Sequence, residues 1–316
     1  MSRAQKPGMK HPLTLLTLLA IAFLALLPTA CQLQRQNDEE DIRTVLGTSD
    51  YTNDDHSGAT DDGTSNPKRD FLGPDGVVFP MNETLPFVRF ARMIDRPVTR
   101  SITIQIPAPG QTSDTTALAT ITADPTGTFY VHNDRTSHIA WAKDLADEGV
   151  RKVYLTRHNR RWLIRGMTPW NMGTLNAPYA ITISSIRIDA RPSGLSYEYT
   201  SPDSMLTKEQ LPVFLPSDTV KVTVTVTSDS ANWAFLHRGR EGHHVRDAFY
   251  RSSANVFERE WTIPDDSIPQ RPCVRPTAVD IIGYLALFGD SLSLYNSRAW
   301  TLPYIVMDRL DAVRPQ

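Results

Sequence analysis

The chain has 316 residues, 40% of them hydrophobic and 22% charged, with a formal net charge of −2. That length accommodates two domains, and the near-neutral balance, without a concentrated basic face, argues against a nucleic-acid partner. Twenty-three prolines and recurrent short runs of Thr, Ser and Val favour a β-rich fold.

The first thirty residues divide into three zones. Arg3, Lys6 and Lys10 form a positive segment, and Leu13 to Leu27 are uncharged and apolar. This run of about 15 residues is shorter than the roughly 20 that a membrane-crossing helix requires. Pro28-Thr29-Ala30 then leads into Cys31. A small residue directly before a cysteine, at the end of such a leader, resembles the lipobox of bacterial lipoproteins. Pro28 stands where that pattern usually has Leu, and Leu27 lies one place further out. The resemblance implies a signal peptide over 1–30 and acylation of Cys31, which becomes the mature N-terminus. It also implies a membrane partner through the lipid. Gln32 rather than Asp follows the cysteine, which favours the outer membrane in a cell that has two. The alternatives are an ordinary secretory signal, which Pro28 fits poorly, and an uncleaved anchor.

Only one other cysteine, Cys273, is present. If Cys31 carries lipid, Cys273 is a lone thiol, and it has no neighbouring His suited to activate it. Residues 31–70 are polar and acidic and read as a flexible tether, because they cannot bury enough apolar surface to offset their ordering entropy. One short helix is predicted from Asp38 to Leu46, with carboxylates at its positive end and Ile42, Val45 and Leu46 on one face. Asn53 to Gly63 resembles a calcium loop only loosely. His56 occupies a ligand position and no Glu closes the run, so a solvated spacer is expected.

A first folded domain is expected over 71–172. Leu85 to Ile94 has apolar residues at helical spacing. Strands are predicted at Ile102–Ile106, Leu118–Thr122 and Thr128–Val131, and Val150–Arg157 and Arg161–Met167 form a hairpin around His158-Asn159-Arg160. A helix, several antiparallel strands and a closing hairpin ending Arg160-Arg161-Trp162-Leu163-Ile164 resemble the nuclear transport factor 2-like, cystatin-like α+β cone. That resemblance implies a concave sheet face able to hold a small apolar ligand, with an Asp and a His there in the members that are enzymes. Asp95, His132, Asp134, His138, Asp144 and His158 are the available groups. His132, Asp134 and His158 are the candidates for a pocket, although exposed loop positions also account for them.

The second domain, over 179–308, is expected to be an antiparallel sandwich, followed by a tail over 309–316. Val220, Val222, Val224 and Val226 alternate with Lys221, Thr223, Thr225 and Thr227, giving one buried and one wet face. Phe257–Ile263 and Val279–Leu287 show the same period. With Ile181–Ile188, Leu195–Tyr199, Asn232–Leu236 and Ala299–Met307, about seven strands result, and the pattern resembles an immunoglobulin-like fold. The fold class is therefore mainly β with a small α+β part.

Two constellations invite a chemical reading. His237, His243, His244 and Asp247 are dense enough for a metal, but Arg238 and Arg240 oppose it and adjacent histidines share a metal only from an irregular loop. Phe288-Gly289-Asp290-Ser291-Leu292-Ser293 matches the signature of GDSL hydrolases. In that family the Ser is the nucleophile and its His lies far downstream; here no His follows Leu292. A turn is expected instead, with Gly289 at positive φ and Asp290 capping. No catalytic residue, metal or cofactor is assigned. The expected role is that of an exported envelope lipoprotein that binds or scaffolds another envelope protein. The alternative is a cone that holds a small apolar ligand or acts as a weak acid–base enzyme.

Overall fold

The structure is a computed structural model and describes residues 35–52, 88–107, 115–133, 140–228, 232–240, 243–264 and 273–307. Cys31, Asp134, His138 and the Asn53–Gly63 run lie outside these residues. The fold is mainly β, and the sheets are predominantly antiparallel. A helix, α1, spans 35–48. The strands then follow as β1 (Val88–Ile94), β2 (Thr99–Gln105), β3 (Thr116–Asp124), β4 (Thr126–Asn133), β5 (Ala140–His158), β6 (Arg161–Met167) and β7 (Trp170–Thr174). Next come β8 (Ile181–Arg191), β9 (Ser196–Tyr199), β10 (Leu206–Thr207), β11 (Val213–Phe214), β12 (Thr219–Ser228), β13 (Asn232–Arg240) and β14 (His243–Ala248). The chain finishes with β15 (Tyr250–Ser253), β16 (Val256–Thr262), β17 (Cys273–Gly283), a five-residue helix α2 (Tyr284–Phe288) and β18 (Ser297–Val306).

One large sheet follows the order β1-β4-β5-β7-β18-β17-β13-β14. It curls until its ends meet: Phe90 on β1 packs edge-on against Phe235 on β13 at 4.8 Å, and Arg246 on β14 donates to the Phe90 carbonyl. The enclosed core contains Phe90, Phe129, Leu145, Trp233, Phe235 and Ile282, and Ala286 and Leu287 of α2 pack into it. The opposite face of β13, β17 and β18 packs on the second sheet, ordered β15-β16-β12-β8-β9, through Leu236, Val279, Ile281 and Trp300 against Ile188, Val222 and Trp261. The valines of β12 are buried as their alternation predicts.

Four expectations need correction. Residues 88–94, read as part of a helix, form strand β1. Tyr284 to Phe288, read as a strand continuation, is helical. The division at 172–179 does not separate two cores, because β7 joins β5 to β18 across it. Finally, α1 is not carried on a free tether. Ile42 and Leu46 are 0% and 2% exposed and pack with Ile104, Ala119, Val153 and Trp162. A tether helix in water would be marginal at this length; burial of its apolar face on the sheet is what stabilises it.

Candidate functional site

The candidates for a concave pocket are not brought together. His132, on β4, pairs with Ala140 at the start of β5, whereas His158 is exposed at the other end of that 19-residue strand. At about 3.3 Å per residue the two ends of β5 are roughly 60 Å apart along the chain. Asp95 and Asp144 are exposed. Asp247 accepts from Arg238 and Arg259, so the carboxylate of the His-rich cluster, to which no metal was assigned, is committed to two cations. His243 and His244 sit on strand β14 rather than in an irregular loop.

The concentrated polar chemistry lies instead inside the curled sheet. β1, β5, β13, β17 and the segment before β18 each send a polar side chain inward. Arg92 donates through one terminal nitrogen to Asp280 Oδ2 at 2.6 Å and through Nε to the Tyr295 hydroxyl at 2.9 Å. His237 Nε2 lies 3.1 Å from the same Asp280 oxygen. Tyr295 in turn donates to Asp147 Oδ2 at 3.0 Å and lies 2.7 Å from Ser297 Oγ. Thr174 donates to Asp147 Oδ1 at 3.1 Å. The Arg92 guanidinium also stands over the rings of Phe90, Phe129 and Tyr295, 5.5 to 5.9 Å from their centroids. Arg92, Asp147, His237 and Asp280 are all buried.

Burial raises a carboxylate's pKa, and the two acids respond differently. At Asp280 burial is outweighed by the charge of Arg92 and the hydrogen bond from His237, and the pKa falls to about 2. At Asp147 burial prevails over Arg92 and the hydroxyl donors, and the pKa rises to about 6. Arg92 is held well above its usual value, because Asp280 overcomes the cost of burial. A His–Asp pair beside a tyrosine could serve acid–base chemistry, but this one is enclosed by apolar side chains. An internal cavity among the described residues lies on the other face of β13 and β17, between the two sheets. Its volume is about 30 Å³, and Ile186, Phe214, Val222, Trp261, Val279 and Trp300 are among the residues that line it. Ligand pockets are roughly ten times larger.

At one end of the molecule Lys143 of β5 donates to the carbonyls of Leu285 and Ala286. Burial lowers its pKa to about 8, opposed by Asp290. The turn after α2 is closed by Asp290 Oδ1, which accepts from the backbone of Leu292 and Ser293 and from the Ser293 hydroxyl. The capping expectation for Asp290 therefore holds, but Gly289 has φ −76°. Glycine is required there by close approach, since a Cβ would collide with the Leu285 carbonyl and Ser293 Oγ. The helix α2 and the turn after it display Leu285, Leu292 and Leu294 at 52%, 84% and 65% exposure.

At the other end, Asp38 in the first turn of α1 accepts from Arg157 at 3.0 Å and from the Trp162 indole at 3.2 Å. Both partners belong to the β5–β6 hairpin. Its two-residue turn places Asn159 at φ 49° and Arg160 at φ 64°, the geometry of a type I′ turn. His158, Arg160 and Arg161 are exposed there. Beyond the other end of α1, Arg151 of β5 is buried and donates to the carbonyls of Tyr51 and Thr301. Burial and the nearby charge of Arg100 lower its pKa to about 9.

Sequence reasoning missed Arg92, Asp147, Asp280 and Tyr295. The available signal was Asp280, a single charge within Val279-Asp280-Ile281-Ile282. No protein-family model matches the chain, and no curated protein is similar to it.

Proposed function

We propose that the chain is an exported lipoprotein of the bacterial cell envelope, anchored through acyl chains on Cys31, whose work is binding or scaffolding. The observation that carries this reading is the leader: Arg3, Lys6 and Lys10, an apolar run too short to span, and a small residue directly before Cys31. Two features of the folded part support a contact role. The polar groups best suited to chemistry are enclosed in the core, where they specify how β1, β5, β13 and β17 pack. The apolar surface at Leu285, Leu292 and Leu294 is instead presented by α2 and the following turn, which Asp290 fixes. Pre-fixed apolar surface contributes contact area with little further loss of entropy.

A ligand-holding or acid–base reading would need the His–carboxylate pair to face the apolar cavity. They occupy opposite faces of the same strands, which favours the first reading. The test is metabolic labelling with a palmitate analogue, followed by membrane fractionation. Label is expected on the wild type and absent from Cys31→Ala, which should also leave the membrane fraction. Undiminished label in that variant would sink the proposal.

A further inference from the structure

We infer that the β5–β6 hairpin tip, carrying His158, Arg160 and Arg161, is a docking surface for the anionic headgroups of the membrane that holds the acyl chains. This rests on the lipid at Cys31. Three residues lie between Cys31 and Arg35, the first described residue of α1, so Arg35 lies within about 14 Å of the lipid attachment point. The helix is not free to swing the body away, because Ile42 and Leu46 are fully buried and Asp38 is bound to Arg157 and Trp162.

The direction of α1 then fixes what faces the bilayer. Asp38 meets β5 at Arg157, whereas the Tyr51 carbonyl, just beyond the helix end, meets it at Arg151. The helix therefore runs antiparallel to β5, and its N-terminus and the hairpin tip project from the same end. Among the acids of the first turns, Asp38 is paired with Arg157 and Glu39 with Arg35. Glu40 and Asp41 are exposed, about 8 Å further along the helix axis from Arg35. At the tip, Arg160 occupies a positive-φ position where Gly is the favoured residue. An arginine there carries backbone cost in the folded chain, and its exposed charge suits an anionic surface. Each arginine near an anionic membrane favours the docked state by about fivefold, so the pair should raise the docked-to-undocked ratio about 25-fold over neutral lipid.

The experiment uses the full-length acylated protein with Cys273→Ser, reconstituted in vesicles of phosphatidylcholine alone or with 30% phosphatidylglycerol. A fluorophore is placed at Asn159→Cys or, as the distal control, at Leu292→Cys, and quenching by a headgroup spin label is read. Position 159 should be quenched in anionic vesicles, less so in neutral ones and at high salt. Quenching should be lost in Arg160→Glu/Arg161→Glu with near-UV circular dichroism unchanged, while position 292 should stay unquenched throughout. Intact mass reports acylation separately. An acylated protein whose position 159 is unquenched, or equally quenched after charge reversal, overturns this inference alone. An unacylated Cys31 overturns the lipoprotein reading and this inference with it.

Discussion

Asp280→Asn isolates the ionic centre of the core. The substitution keeps the shape of the side chain and one acceptor oxygen but removes the charge that faces Arg92 at 2.6 Å. The carboxyl pKa is about 2 in the folded chain against an ordinary 3.8, close to two pH units, so ionisation of Asp280 contributes roughly 2 kcal/mol to stability at neutral pH. The variant loses at least that. Because Arg92 remains buried with its main counter-charge gone, the loss should approach the roughly 3–5 kcal/mol seen when one partner of a buried pair is removed. The pH dependence gives an independent check. A depressed carboxyl pKa supplies stability above the unfolded value of 3.8 that disappears as pH falls through 2. The difference between wild type and variant should therefore be full at pH 7 and narrow at pH 3 by about half of the Asp280 contribution. Urea unfolding followed by tryptophan fluorescence reads both values. A difference below about 0.5 kcal/mol at pH 7, or one that does not narrow with acid, would refute the assignment of Asp280 as the counter-ion.

Asp147 has the opposite sign. Its folded pKa of about 6 exceeds the ordinary 3.8, so the native state binds the proton more tightly and stability falls as pH rises between those values; Asp147→Asn should gain roughly 2–3 kcal/mol relative to wild type between pH 4 and pH 8 in the same assay. Ile42→Ala removes the most buried side chain of α1 and should cost about 2–5 kcal/mol, with accelerated amide exchange over 35–48 if the helix detaches. Asp290→Ala removes three hydrogen bonds from the turn and should speed proteolysis within 289–294 while changing global stability by about 1 kcal/mol or less. Ser291→Ala should leave any turnover of a chromogenic ester at its original level, since Ser291 is exposed on the turn held by Asp290 and, among the described residues, no His is hydrogen-bonded to it.

Where one face is apolar and the other wet, the strands are legible residue by residue, as in Val220–Val226. The difficult elements are those whose inward residues are charged. In β1, Phe90 and Ile94 are four apart, a spacing shared by a helical stripe and a strand face. The residue that separates the two readings is Arg92, and a buried arginine breaks the expected alternation. The same inversion hides the first half of β5, where Lys143 and Asp147 point inward and Ala142 and Glu148 outward. The apolar run from Tyr284 to Phe288 is too short for its period to distinguish strand from helix. The polar core was illegible for a further reason: its members come from five distant segments, and only the curl of the sheet brings them within reach.

β5 holds Lys143 beneath the leucine turn near one end and His158 at the other, and along its length it is hydrogen-bonded to β3, β4, β6 and β7. At about 3.3 Å per residue, the fifteen positions from Lys143 to His158 amount to at most roughly 50 Å. A pull between a partner at the leucine turn and the bilayer at the hairpin would run along this strand, so its interstrand bonds would be loaded in shear, many at once, rather than opened one after another. Resistance to such a load depends on the unfolding rate rather than on equilibrium stability. With the hairpin docked as inferred above, the longest strand of the fold would also be its tension-bearing member.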